Sequence, residues 1–161
     1  MVNFIPEPVK TAAPKVPFFE DSSTLQIPGR GTKKSEKQLQ VEINNLMMKL
    51  DAGNVLFSPG KFEVAPNSPQ RYGYLMTFSL NGTPGRMEIA ALPIRKETPA
   101  KKDDALRQAL YLVRNWLESE VFSTMYRPGA VPLIPFLIGA GDKTVTELLV
   151  ESGNLPMLRA G

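Results

Sequence analysis

Residues 72–94 read YGYLMTFSLNGTPGRMEIAALPI, and this stretch decides the fold. Tyr72, Tyr74, Met76, Phe78 and Leu80 alternate with Gly73, Leu75, Thr77 and Ser79. Successive strand side chains point to opposite faces, so large apolar residues recurring with a period of two specify a half-buried strand. Gly82-Thr83-Pro84-Gly85 is a turn signal, and Arg86 to Ile94 is expected to return antiparallel. A four-residue loop would pair Leu80 with Met87, Phe78 with Ile89 and Met76 with Ala91. That register collects the large apolar residues on one face. The other face, with Leu75, Thr77 and Ser79 beside Glu88, Ala90 and Leu92, is apolar enough to expect some cover.

Upstream, Asn54–Phe57 and Lys61–Val64 read as short strands around a Ser58-Pro59-Gly60 turn. Before them, Leu39, Ile43, Leu46, Met47 and Leu50 form a helical stripe. This predicts an amphipathic helix over about residues 33–51. Thr32, or Ser35 in a capping box with Gln38, would start it, and Gly53 would accept the left-handed position after it. Downstream, Thr98-Pro99 supplies a capping hydroxyl and a proline at the first helical position. The stripe Leu106, Leu110, Val113, Leu117 and Val121, widened by Ala105, Ala109, Leu112 and Trp116, continues that helix to about residue 125. At about 1.5 Å per residue it spans roughly 40 Å. Ala130 to Ile138 is apolar and is expected to be buried packing. Thr144 and Glu147 form a capping box that opens a short C-terminal helix.

The expected fold is therefore α+β. A small antiparallel sheet centred on the hairpin 72–94 packs on the long helix of about 99–125, with the helix of about 33–51 and the short C-terminal helix beside it. Residues 1–31 hold Pro6, Pro8, Pro14, Pro17 and Pro28 without any helical or strand period. They read as a proline-rich extended arm, with Phe4, Ile5, Phe18 and Phe19 available for docking on the arm's own domain or on a second copy. Residues 32–161 form the single domain.

Composition excludes much chemistry. The chain has no histidine and no cysteine. Ser-His-Asp and Cys-His catalysis, disulfides and thiolate metal sites are thereby removed. Gly29-Arg30-Gly31-Thr32-Lys33 lacks phosphate-loop spacing. No cofactor is expected. The carboxylates Glu63, Glu88, Glu97, Asp103 and Asp104 are the one set that would suit a magnesium-dependent enzyme. No stretch reaches the roughly 20 apolar residues of a membrane span, and a soluble, cytoplasmic protein is expected.

Charge points elsewhere. Residues 30–102 hold twelve lysines and arginines against six acids, whereas residues 103–161 hold five against seven. A basic zone is the electrostatic footprint of a polyanion binder. Arg71, Arg95, Lys96, Lys101 and Lys102 fall near one end of the expected hairpin and the start of the long helix. Lys33, Lys34 and Lys37 fall at the start of the first helix, and Tyr72 is placed to stack on a base. The sequence thus supports a non-catalytic module that binds DNA or RNA through backbone phosphates with little sequence specificity. A structural subunit of a larger complex, with a homo-oligomer formed through the arm, is the alternative, and the carboxylate enzyme the second alternative.

Overall fold

The computed structural model describes residue 5, residues 15–63 and residues 66–153. Three strands form an antiparallel meander, β1 (Ala52–Phe62), β2 (Arg71–Leu80) and β3 (Thr83–Ala90), in that spatial order. Helix α1 (Glu36–Lys49) precedes the sheet, α2 (Pro99–Thr124) follows it, and α3 (Val145–Glu151) comes last. The fold is α+β, with the long helix packed on the sheet as the periodicities imply. The expected strand residue Val64, the tail 155–161, and residues 1–4 and 6–14 of the expected arm lie outside the described residues.

The hairpin turns on Asn81-Gly82, not on residues 82–85. Asn81 (φ 50°) and Gly82 (φ 81°) both adopt the left-handed conformation. A two-residue turn of that kind twists in the same sense as its strands. Leu80 therefore pairs with Thr83, Phe78 with Gly85, Met76 with Met87 and Tyr74 with Ile89. The expected register was wrong by an even number of residues, so every side chain keeps its expected face. Phe78 lies over Gly85, where an added Cβ would sit 2.5 Å from the ring's Cζ.

Strand β1 also differs from expectation. It runs unbroken through Ser58-Pro59-Gly60, with Pro59 opposite Tyr74 and Lys61 opposite Tyr72. An edge strand has a row of N–H groups that face away from the sheet, and proline is tolerated there. The left-handed position after α1 is filled by Asp51 (φ 63°) rather than Gly53, and Asn54 (φ 54°) sits at a register shift between Gly53 and Leu56. Helix α1 starts later than expected. Ser35 is its N-cap and accepts from the Gln38 N–H, so Lys33 and Lys34 precede the helix.

Both helices cover one sheet face. Leu39, Ile43, Leu46 and Met47 of α1 and Ala105, Leu106, Ala109, Leu110 and Leu117 of α2 bury against it. The sheet contributes Tyr74, Met76, Phe78, Leu80, Met87 and Ile89. Each large apolar side chain fully buried here is worth roughly 1.5–3 kcal/mol. The helices run side by side in the same direction. Arg107 reaches the Thr32 carbonyl just before α1, Arg114 approaches Glu42 at 3.8 Å, and the two helix ends share a groove between Leu46 and Val121.

Residues 15–31, expected as an extended arm, dock on their own fold. The turn Phe19–Asp21 is 3-10 helical, and Phe19 is wholly buried. Its N–H donates to Pro93 O at 2.8 Å. The Arg30 guanidinium lies 4.0 Å from the Phe19 ring centroid and donates to the Phe19 carbonyl and to Ser22 Oγ. Burial of the 130–138 stretch is only partial. Leu133 is buried, Leu137 bridges to Gly85 and Phe136 packs edge-on to Trp116, while Val131 and Ile134 stand exposed. Among the described residues, the second sheet face is covered on the β3 side, where Arg86 pairs with Glu147 at 2.9 Å, while Leu56 on β1 is 65% exposed.

The glycine under Phe78 gives a direct test of this packing. Gly85→Val should lower unfolding stability by about 1–3 kcal/mol through overpacking. Gly60→Ala, whose Cβ meets nothing within 4 Å, should change it by less than about 0.5 kcal/mol. Equal denaturant midpoints for the two variants would contradict the register.

Candidate nucleic-acid interface

A helix, three antiparallel strands and a second helix, each reversing direction, return both helix starts to one end of the molecule. The ends of β1 and β3 and the start of β2 lie there too. All nine residues singled out from the sequence lie on the elements that meet at this end, but their side chains have different fates.

Arg71 is half-buried and spent on backbone. Its Nε donates to Ala91 O at 2.7 Å and its Nη2 to Ala90 O at 3.0 Å. Burial pulls its pKa below the usual arginine value. Arg95 pairs with Asp21 at 2.8 Å and lies over the Phe18 ring. Lys101 reaches Glu20 at 3.3 Å and the Lys96 carbonyl at 3.0 Å. Lys34 folds back along α1 to Glu42 at 2.6 Å. These four cations are held by the fold. Arg86, expected as the first residue after the hairpin turn, lies further along β3, opposite Thr77.

Lys33, Lys37, Lys96 and Lys102 have no carboxylate partner among the described residues. Lys102, in the first turn of α2, places Nζ 4.6 Å from the Tyr72 ring centroid. Lys61, the cross-strand neighbour of Tyr72, places Nζ 4.9 Å from the same centroid. Sequence reasoning missed Lys61 because Pro59-Gly60 reads as a turn. Once β1 is one strand, register alone brings Lys61 to Tyr72. The Tyr72 hydroxyl donates to Glu97, and that bond raises the phenol's pKa. Pro59, Gly60, Lys61, Tyr72, Gly73, Lys102 and Leu106 enclose a shallow hollow of about 270 Å3.

The start of α2 is built locally. The Thr98 hydroxyl accepts from the Lys101 N–H, and Pro99 occupies the first turn. The connector before it is pinned by Glu20, whose carboxylate accepts from the backbone N–H groups of Arg95 at 3.0 Å and Lys96 at 2.8 Å. Burial opposes the Glu20 charge, but the Lys96 and Arg95 N–H groups and the Lys101 ammonium outweigh it and hold the pKa at about 2.

The carboxylates considered as a metal site go separate ways. Glu97 takes the Tyr72 hydroxyl, Asp104 pairs with Arg107, and Glu88 lies on the opposite sheet face from Tyr74. No group of three acids among the described residues is placed to hold a metal ion. No described helix is long and apolar enough to cross a membrane. Comparison of the chain with protein-family models, curated proteins and solved structures finds no match.

Glu20 makes the pinning of this end pH-dependent. A carboxylate whose folded pKa lies below its ordinary 4.5 stabilises the fold above that value and loses the contribution as pH falls towards about 2. Discounted for solvent screening, the contribution is about 1 kcal/mol. Glu20→Gln should cost that much at neutral pH and flatten the stability profile between pH 4.5 and 2. Parallel profiles for the variant and the parent protein would contradict the assignment.

Proposed function

We propose that the protein binds nucleic acid through backbone phosphates, at the end where α1 and α2 both begin, with little dependence on base sequence. The observation that carries this reading is the seating of the Lys61 and Lys102 ammonium groups on the Tyr72 ring, without a carboxylate partner among the described residues. Releasing an exposed ammonium from an aromatic ring costs about 0.5–1 kcal/mol. The cost is small beside the strength of a charge-assisted hydrogen bond to phosphate.

The fold adds to this charge. Each helix start carries about half a positive charge, and parallel packing sets two of them at one end. Lys33 and Lys37, at the start of α1, and Lys96, on the connector before α2, add positive charge to the same end. The acids at this end mostly serve the protein: Glu20 and Asp21 hold Lys101 and Arg95, and Asp104 holds Arg107.

A second reading, assembly into a larger complex, is favoured by the opposite end. A groove of about 650 Å3 between the helix ends is lined by Leu46, Val121, Phe122 and Met125. Phe122 is 55% and Met125 69% exposed, so a partner protein there would leave the lysine-rich end free.

Binding of labelled oligonucleotides across a salt series tests the first reading. Affinity should rise steeply as salt falls, because phosphate contacts release counterions. Replacing Lys61 and Lys102 together by Gln should lower the slope of log K against log salt by about 1.4–1.8, at about 0.7–0.9 per contact. The same exchange at Arg95 and Lys101 should act chiefly on stability. No binding at low salt, or an unchanged slope in the Lys61/Lys102 variant, contradicts the proposal.

A further inference from the structure

The hollow beside Tyr72 carries the reading one step further. We infer that it receives one unpaired base, so that the nucleic acid bound at this end is single-stranded. The inference rests on the phosphate-binding proposal and adds a requirement to it.

Phosphate contacts alone would need only exposed ammonium groups on a convex surface. Here the two ammonium groups flank a concave space whose walls are apolar: Pro59 on the edge strand, Leu106 on α2 and the Tyr72 ring. Leu106 is buried from its other sides and helps form the floor. At about 270 Å3 the hollow is smaller than the roughly 300–1,000 Å3 of pockets that enclose a whole small ligand. It has room for one flat ring system with its sugar and phosphates left outside. Those phosphates would meet Lys61 and Lys102, and as the ammonium groups turn outward they uncover the Tyr72 ring.

A duplex cannot use such a site. Its bases are stacked and paired, and withdrawing one costs unstacking and unpairing. An unpaired strand offers its ring freely, and apolar or aromatic walls recognise it through its face, without regard to base identity. The hollow therefore selects for strandedness and the ammonium groups for phosphate. The sugar would stand outside the hollow, so DNA and RNA strands share the chemistry recognised.

The test uses four labelled probes with the intact protein at low salt: short oligo-dT, short oligo-U, oligo-dT in which sugar–phosphate units lacking a base replace every nucleotide, and the oligo-dT·oligo-dA duplex. Base stacking on a protein wall contributes a factor of about ten or more in affinity. Oligo-dT and oligo-U should both bind about tenfold more tightly than the base-free strand, and more tightly than the duplex at equal phosphate concentration. Tyr72→Leu should reduce the advantage over the base-free strand while leaving the salt slope in place. The base-free probe carries the test if that variant fails to fold. If the base-free strand or the duplex binds as well as oligo-dT, the hollow takes no base and the inference is overturned, while phosphate binding stands. If no probe binds, the phosphate proposal itself fails. Preference for oligo-dT over oligo-U, or the reverse, distinguishes DNA from RNA as the source of the strand.

Discussion

The constraint on which the rest depends is the burial of a single sheet face by two helices that point the same way. Tyr74, Met76, Phe78 and Leu80 of β2 stand beside Met87 and Ile89 of β3 on that face. Such a surface must be covered, and neither helix covers it alone. Three antiparallel strands lie between α1 and α2, so four chain reversals separate the helices and they end up parallel. Their starts share one end, and the dipoles reinforce each other there. The charge pattern of the molecule follows from its topology, since lysines spread over α1, β1, the connector and α2 are gathered without being neighbours in sequence.

The cations at this end divide into two kinds. Arg71, Arg95, Lys101 and Lys34 are bound to carbonyls or carboxylates and fix the geometry. The N-terminal segment takes part in this, because Phe19 anchors it in the core and Glu20 and Asp21 reach back to the connector before α2. Lys61 and Lys102 are instead parked on Tyr72. The paired residues are engaged within the fold, and under the proposed function the parked residues are the ones a polyanion would recruit at low cost. Under that proposal, the division separates the effects of substitution on stability from those on binding.

Much of the fold was legible in the sequence because its signals are periodic. The alternation of Tyr72 to Leu80, the stripe of Leu106 to Leu117, the Ser35 and Thr144 caps and the Thr98-Pro99 start all reappear in the structure. What failed was punctuation. Asn81-Gly82 makes a tighter turn than Gly82-Thr83-Pro84-Gly85 would, since both residues accept positive φ. Pro59-Gly60 breaks no strand because β1 is an edge. The first misreading displaced the partners of β2, and the second kept Lys61 out of the candidate site by removing it from the strand beside Tyr72. The partnering of Arg95 and Lys101 was not legible either, because Asp21 and Glu20 are distant in sequence and join them only through the docking of Phe19.

The central claim is that an electropositive end, assembled by parallel helices, is where the polyanion meets the protein. Amide chemical-shift mapping by NMR, with the intact protein titrated with short oligo-dT, tests it residue by residue. The account predicts shifts concentrated at Lys61, Tyr72, Lys96 and Lys102, weaker ones at Lys33 and Lys37, and none at the groove of Leu46, Val121 and Phe122. Shifts centred on that groove, or on the open sheet face around Leu56 and Leu75, would contradict it.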